Sequence, residues 1–408
     1  MGKKRKKSST YYWLLIVTIA LLGFGSVMVF SASSVMAFSV EGDSYYYLKR
    51  QLIYAFLGLG SMAVFSRIGY QKLRKYARAV LLSSIFLLVL VLIPEIGRTA
   101  GGANRWIEIG SFTFQPSEFA KLAAVLFVAD LLVKRKDELN DLTQLIIPLS
   151  PLVIVVGLVF CQPHLGNSFL ICLTVFTMVY LAGANLMHIL GLGFSGAIIS
   201  LLAVFGTQYR RQRFLAFLNP WADPRNTGFH IIQSLFAFGS GGLTGLGLGM
   251  SHQKFFYLPA AHTDFIFAII GEELGLIGTL CTVSAFAFLA YLGIRISFRC
   301  RDPFGRLLGS GIIFMILSQT VINMGAVTGV LPITGVPMPL VSYGGSALIF
   351  TLAGIGILLN IATKEGKIRR KRKPKEKDEN DHKRGRNGGT RISGPGVSRN
   401  LRVIRGSP

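Results

Sequence analysis

Charge is what this chain has least of. Only 15% of its 408 residues are charged, against 51% hydrophobic, which excludes the solvated surface of an ordinary soluble enzyme and points to a membrane protein. Acidic residues are scarcer still, 19 against 43 Lys and Arg, for a net charge of +24. The four cysteines, Cys161, Cys172, Cys281 and Cys300, show no paired spacing, so neither a disulfide framework nor a zinc site is indicated.

Long apolar runs fill most of the chain. A helix crossing a bilayer needs about 20 apolar residues at 1.5 Å rise each. Ten segments qualify, at 12–32, 51–66, 79–95, 117–133, 143–161, 166–184, 187–206, 265–294, 307–329 and 344–362. With the N-terminus inside, 33 Lys and Arg fall on the cytoplasmic side and 9 outside, the asymmetry that sets orientation. The expected fold is therefore an all-α polytopic membrane protein of about ten transmembrane helices, both termini cytoplasmic. Residues 1–11 form a basic N-terminus, 12–363 the membrane domain and 364–408 a basic, disordered cytoplasmic tail. The apolar core of the first span, Tyr11 to Phe30, exceeds that of a cleavable signal and reads as an anchor. Basic ends are attracted to anionic lipid, so the charge does not call for nucleic acid as a partner.

One long interruption stands out: a large outer loop, 207–264, between spans seven and eight. It carries Arg210, Arg211, Arg213, Arg225 and Lys254 on the side where positive charge is normally scarce. Loops of this length are functional or disordered, and this one is too rich in Phe, Leu and Gly for a solvated linker. Phe229 to Phe238 reads as a short amphipathic helix able to lie on the membrane surface. Six glycines follow between Gly239 and Gly249, suited either to close backbone packing or to backbone N–H groups facing an anionic headgroup. The loop ends in His262-Thr263-Asp264, where the next span begins. A carboxylate at the edge of an apolar span gains proton affinity through desolvation, and nearby Arg opposes this. That setting suits a general base and is compatible with a helix cap. Glu272 and Glu273, two turns deeper, are expected to be buried with polar partners.

Further candidates lie on other outer segments. Arg105 beside Trp106 offers a planar fork suited to phosphate. Glu118 and Lys121 share one helix face, either as an ion pair at the membrane edge or as part of a substrate site. His164, in a tight outer turn, either titrates near neutral pH or is merely solvated.

The motifs Asn104-Arg105-Trp106, Phe114-Gln115-Pro116-Ser117-Glu118, Gln162-Pro163-His164-Leu165-Gly166, Phe217-Leu218-Asn219-Pro220-Trp221, His262-Thr263-Asp264-Phe265, Asn323-Met324-Gly325 and Ser342-Tyr343-Gly344-Gly345 together resemble the SEDS family of shape, elongation, division and sporulation proteins. The resemblance runs from about residue 12 to 363 and is nearer the division and sporulation branch than the elongation branch. It implies a peptidoglycan glycosyltransferase in the bacterial cytoplasmic membrane, at the division septum. Such an enzyme polymerises lipid II at the outer face and works with a class B penicillin-binding protein and other division proteins. Asp264 falls on the family's catalytic aspartate. Arg105, Glu118, Lys121, Arg210, Arg213, Lys254, His262 and Ser342 are the expected substrate-binding residues, with no metal ligand assigned and a divalent cation (Mg or Mn) left open as cofactor. His164 and Ala260 depart from the family pattern, where Asp and Glu are common. A lipid II transporter and a non-enzymatic division scaffold remain the alternatives on sequence alone.

Overall fold

The computed structural model describes residues 8–371, apart from 94, 101, 102, 111, 140, 163, 164 and 207. Within helices and strands the side chains of 98–100, 103, 109, 142, 143, 145, 146, 197, 199, 200, 203, 204, 209, 210 and 364–371 are also outside the description. The Lys3–Lys7 cluster, His164 and the tail beyond 371 therefore lie outside the described residues, as does the Arg210 side chain.

The described chain is mostly helical: α1 (Ser9–Glu41), α2 (Tyr46–Arg67), α3 (Tyr70–Leu90), α4 (Pro116–Lys134), α5 (Leu142–Cys161), α6 (Leu165–Ala182), α7 (Leu186–Phe205), α8 (Gln208–Leu218), α9 (Phe229–Gly241), α10 (Ile266–Arg299), α11 (Pro303–Val327) and α12 (Gly345–Lys371). By length and composition α1, α6, α10, α11 and α12 are each able to cross a membrane, and α2 with α3 makes a sixth if the bent pair counts as one span. Helix α4, with Glu118, Lys121, Asp130 and Lys134 along its length, is more charged than these.

Between membrane helices the hydrophobic effect drives little, so close packing and internal hydrogen bonds hold the bundle. The corner between α2 and α3, bent by 116°, illustrates both. Buried Asn360 on α12 accepts from the Tyr70 N–H at 3.0 Å and donates to the Ser66 carbonyl at 2.7 Å, satisfying backbone groups freed where the helices end. Small residues let backbones meet: a Cβ at Gly356 would lie 2.6 Å from the Met62 carbonyl oxygen.

The all-α expectation needs one correction. Residues between α3 and α4 form a three-stranded antiparallel sheet, β1 (Gly97–Ala100), β2 (Ala103–Ile109) and β3 (Phe112–Phe114). Gly110, at φ +60°, turns β2 into β3, and Ile107 pairs with Phe114 and Glu108 with Thr113. Buried Ile107 between the less buried Trp106 and the exposed Glu108 is the alternation of a strand with one covered face. Tyr54 on α2 accepts from the Thr113 N–H at 3.3 Å, and Ser346 on α12 accepts from the Gln115 N–H at 2.9 Å, which pins the sheet to the bundle.

Helix α9 confirms an amphipathic segment, but its apolar face meets protein. Ile231, Ile232 and Ala237 are buried, and Ser234 donates to the Val327 carbonyl at 2.6 Å. Phe236 points outward.

Candidate functional site

Two polar centres flank the start of α10. The deeper one contains Glu272 and Glu273, both fully buried. The Ser31 hydroxyl donates to Glu273 at 2.6 Å, and Lys254 Nζ pairs with it at 3.5 Å. Glu272 accepts from the Ser251 hydroxyl and, at 2.9 Å, from the His252 N–H. Here α10 breaks: Gly275 adopts φ +65° and ψ −160°. The glycine-rich segment fills the break. Leu246 and Gly247 donate to the carbonyls of Glu272 and Glu273, and Leu276 and Ile277 donate to those of Gly242 and Leu243. A Cβ on Gly275 would lie 2.4 Å from the Gly245 nitrogen. In this run the glycines serve close backbone packing.

The second centre is Asp264, two residues before α10. Its side chain is half-buried, and no described residue donates a hydrogen bond to it. Burial pushes Asp264 up to about 6, while the charges of Arg213 and Arg105 pull it back. Arg213 sits on α8 and Arg105 on β2, where its Nε donates to the Gln162 carbonyl at 3.0 Å. Two cations from distant parts of the chain thus act on one carboxylate.

The backbone around Asp264 is held by Asn323 of α11. The Asn323 Nδ2 donates to the Asp264 carbonyl and to the Val336 carbonyl, each at 2.8 Å. Gly335, at φ +66°, brings its backbone against the carboxylate: a Cβ there would lie 3.6 Å from Oδ2. A narrow cleft opens between these groups, lined by Asp264, Asn323, Ala326, Ile333, Thr334 and neighbouring residues.

The other expected site residues are tied into this frame in different ways. Glu118 and Lys121 form a buried ion pair at 2.8 Å. Lys121 also donates to Gln319 at 2.7 Å, whose Nε2 in turn donates to the Pro337 carbonyl at 2.8 Å. The pair therefore braces the segment that lines the Asp264 cleft. Lys254 is committed to Glu273 and to the Gly249 carbonyl. His262 is buried between Tyr47 and Tyr343, ring centroids 4.5 and 5.7 Å away, and burial holds its imidazole down at about 4. The Ser342 hydroxyl accepts from the Met338 N–H at 2.8 Å within the buried loop before α12. Among the described residues, no three of His, Cys, Asp and Glu come together as a group able to hold a metal ion. Sequence reasoning gave no role to Asn323, Thr334 or Gln319. A signal existed, since Asn and Gln inside an apolar run are costly unless they have partners.

Fold and site together define a helical membrane protein in which one end of the bundle gathers one raised carboxylate and two arginines. The chain belongs to the FtsW, RodA and SpoVE family of cell cycle proteins, whose pattern matches residues 12–367. It is 47% identical over 352 residues to a probable peptidoglycan glycosyltransferase FtsW of Geobacter sulfurreducens, covering 86% of this chain and 94% of the relative. It is 42% identical over 358 residues to stage V sporulation protein E of Bacillus subtilis, covering 88% and 98%. Among solved structures, a chain of a peptidoglycan synthase complex that coordinates polymerisation and crosslinking matches with TM-score 0.73 at 30% identity, over 89% of this chain and 99% of that one. The rod shape determining protein RodA of Thermus thermophilus matches with TM-score 0.65 at 29% identity, over 86% and 95%.

Proposed function

We propose that Asp264 is the general base of a glycosyl transfer that polymerises lipid II at the outer face of the cytoplasmic membrane. The chain is a peptidoglycan glycosyltransferase, as its relatives' names and its likeness to a peptidoglycan synthase complex indicate. One observation carries the assignment of the base: Asp264 is raised to about 6 and lacks any described hydrogen-bond donor, yet two arginines act on it. A base poised just below neutral pH is largely ionised there and still takes a proton readily.

In this reading the acceptor sugar hydroxyl gives its proton to Asp264 as its oxygen attacks the anomeric carbon of the donor. The bond to the diphosphate breaks, and the diphosphate leaves as an anion whose charge Arg105 and Arg213 offset. Arg210, on the same helix as Arg213, joins them in holding the diphosphate. The leaving group is already an anion, so no second carboxylate is required to protonate it, unlike in hydrolytic glycosidases. Ten spans with both termini inside would set the 207–264 loop outside, where a class B penicillin-binding protein crosslinks the new strand. A role at the division septum follows from kinship with the division and sporulation proteins.

Purified protein in detergent with lipid II tests the reading, since no membrane remains to be crossed and transport alone gives no polymer. The wild type should form glycan strands, and Asp264→Asn should lose about 10²-fold or more. Wild-type polymerisation by the Asn variant would overturn the assignment of Asp264 as the base.

A further inference from the structure

A polymerase of lipid II must handle two diphosphates at once. Polymerisation begins when one lipid II attacks another, so the acceptor that gives its proton to Asp264 carries a diphosphate of its own. That second diphosphate stays in place, one disaccharide away from the attacking hydroxyl. Arg105 and Arg213 act on Asp264 itself and are taken up by the diphosphate that leaves. The acceptor's diphosphate needs a different cation, near Asp264 but separate from it.

Arg50, near the start of α2, answers that requirement. Its guanidinium lies over the Tyr46 ring, 4.5 Å from the centroid, and its charge acts on the phenols of Tyr343 and Tyr47. Those two rings enclose His262, and the Tyr343 N–H donates to the His262 carbonyl at 3.0 Å. Arg50 is thus joined through Tyr47 and Tyr343 to the chain that ends in Asp264. Its neighbour Lys49 is taken by Asp43 at 2.7 Å. No described carboxylate pairs with Arg50, and Glu41 is exposed and outside ion-pair distance of it. A half-buried cation without a carboxylate at the membrane edge is costly to keep. The Tyr46 ring covers one face of the guanidinium and leaves its in-plane N–H groups, the geometry that receives phosphate oxygens.

We propose that Arg50, with the tyrosines beside it, binds the diphosphate of the acceptor lipid. The proposal rests on the glycosyl-transfer reading above and adds the acceptor's anchor to it. The guanidinium N–H groups donate to phosphate oxygens, and the Tyr47 and Tyr343 hydroxyls stand in the same cluster to add donations of their own. The two cation groups then have different duties. Arg105 and Arg213 meet a diphosphate that gains charge as it leaves, so they lower the barrier. Arg50 meets one whose charge does not change during the reaction, so it contributes binding alone, and its loss raises KM for the acceptor more than it lowers kcat. An ordinary anionic phospholipid offers the same phosphate chemistry and is the competing occupant.

Two labelled acceptors separate this role from a structural one. Both carry the same disaccharide on the same lipid chain, joined through the diphosphate in one and through an uncharged linker in the other. Each is offered to purified protein in detergent with unlabelled lipid II as donor. Wild-type protein should prefer the diphosphate acceptor by about tenfold or more in kcat/KM, as expected when a charged hydrogen bond is lost. Arg50→Gln should compress that ratio to a few-fold through a higher KM, and Arg50→Lys, which keeps the charge and loses the fork, should fall between. Equal use of both acceptors by the wild type overturns the proposal. So does an Arg50→Gln variant that slows both by the same factor, the result expected of a merely structural side chain. Equilibrium binding reads the same site without turnover. Asp264→Asn protein should hold two lipid II molecules per chain, and the same protein carrying Arg50→Gln should hold one. That loss, with no polymer from the wild type, would refute glycosyl transfer while upholding the site, and an unchanged number would refute the site. Excess phosphatidylglycerol should leave both molecules bound, whereas displacement of one would assign Arg50 to ordinary phospholipid and overturn the proposal.

Discussion

Asp264 and the Glu272–Glu273 pair stand eight residues apart on the same stretch of chain, and their surroundings are opposite. The glutamates are sealed and supplied with partners: Ser31 and Lys254 serve Glu273, and Ser251 and the His252 backbone serve Glu272. Asp264 is half-buried, with no described donor and with charge acting on it through Arg213 and Arg105. A satisfied carboxylate has its hydrogen-bonding capacity spent within the protein and holds the fold. An unsatisfied one keeps that capacity for something that arrives. The break in α10 at Gly275 explains how both occur so close together. The glycine-rich segment wraps the broken turn and leads into Ser251, His252 and Lys254, which serve the glutamates and do not reach the Asp264 carboxylate.

If this contrast is right, the two positions should fail differently. Glu273→Ala leaves Lys254 as a buried cation without its carboxylate, a change that costs about 3–5 kcal/mol. The purified variant should show a large drop in thermal midpoint, and its lost activity should follow its lost fold. Asp264→Asn should lose activity with its midpoint intact. A Glu273→Ala protein as stable as the wild type would erase the distinction between the sites.

The pH dependence sharpens the same contrast. A carboxyl raised to about 6 in the folded protein destabilises the fold above that pH, where it must be ionised while buried. The penalty disappears as pH falls through 6 towards the ordinary carboxylate value of about 4. Activity runs the other way, since only the ionised form accepts a proton. Polymerisation should therefore decline below about pH 6. Arg213 lowers the value, so Arg213→Gln should move the acid limb to higher pH. A limb that stays in place, measured as kcat/KM against pH, would mean that the titrating group is not Asp264.

Much of this was legible in the sequence, and the gaps have physical causes. Asp264, Arg105 and Arg213 were visible because charge is rare in this chain and each stands where charge is costly. The buried role of Glu272 and Glu273 was readable for the same reason. Hidden were the partners: that Lys254 pairs with Glu273, and that Lys121 reaches Gln319, are facts of tertiary approach that spacing along the chain does not encode. The sheet at Gly97–Phe114 escaped because its strands are short and lie among apolar helices. Asn323 sat in a recognisable motif, but which of its amide atoms is spent and which is left can be learned only from the fold.

The smallest expected effects concern the glycine run, where two residues six apart should respond in opposite directions. A Cβ on Gly245 would lie 2.2 Å from the Glu273 carbonyl oxygen, and the residue has φ +82°. Gly245→Ala therefore collides with backbone that cannot move aside without disturbing the carboxylate centre, at a cost of about 1–3 kcal/mol. Gly239 lies within α9, and a Cβ there meets nothing within 4 Å. Gly239→Ala should instead stabilise by up to about 1 kcal/mol, from the lower backbone entropy of the unfolded chain. Thermal midpoints of the two variants in the same detergent measure the difference. Equal destabilisation by both would show that Gly239 too is held in close contact within the protein.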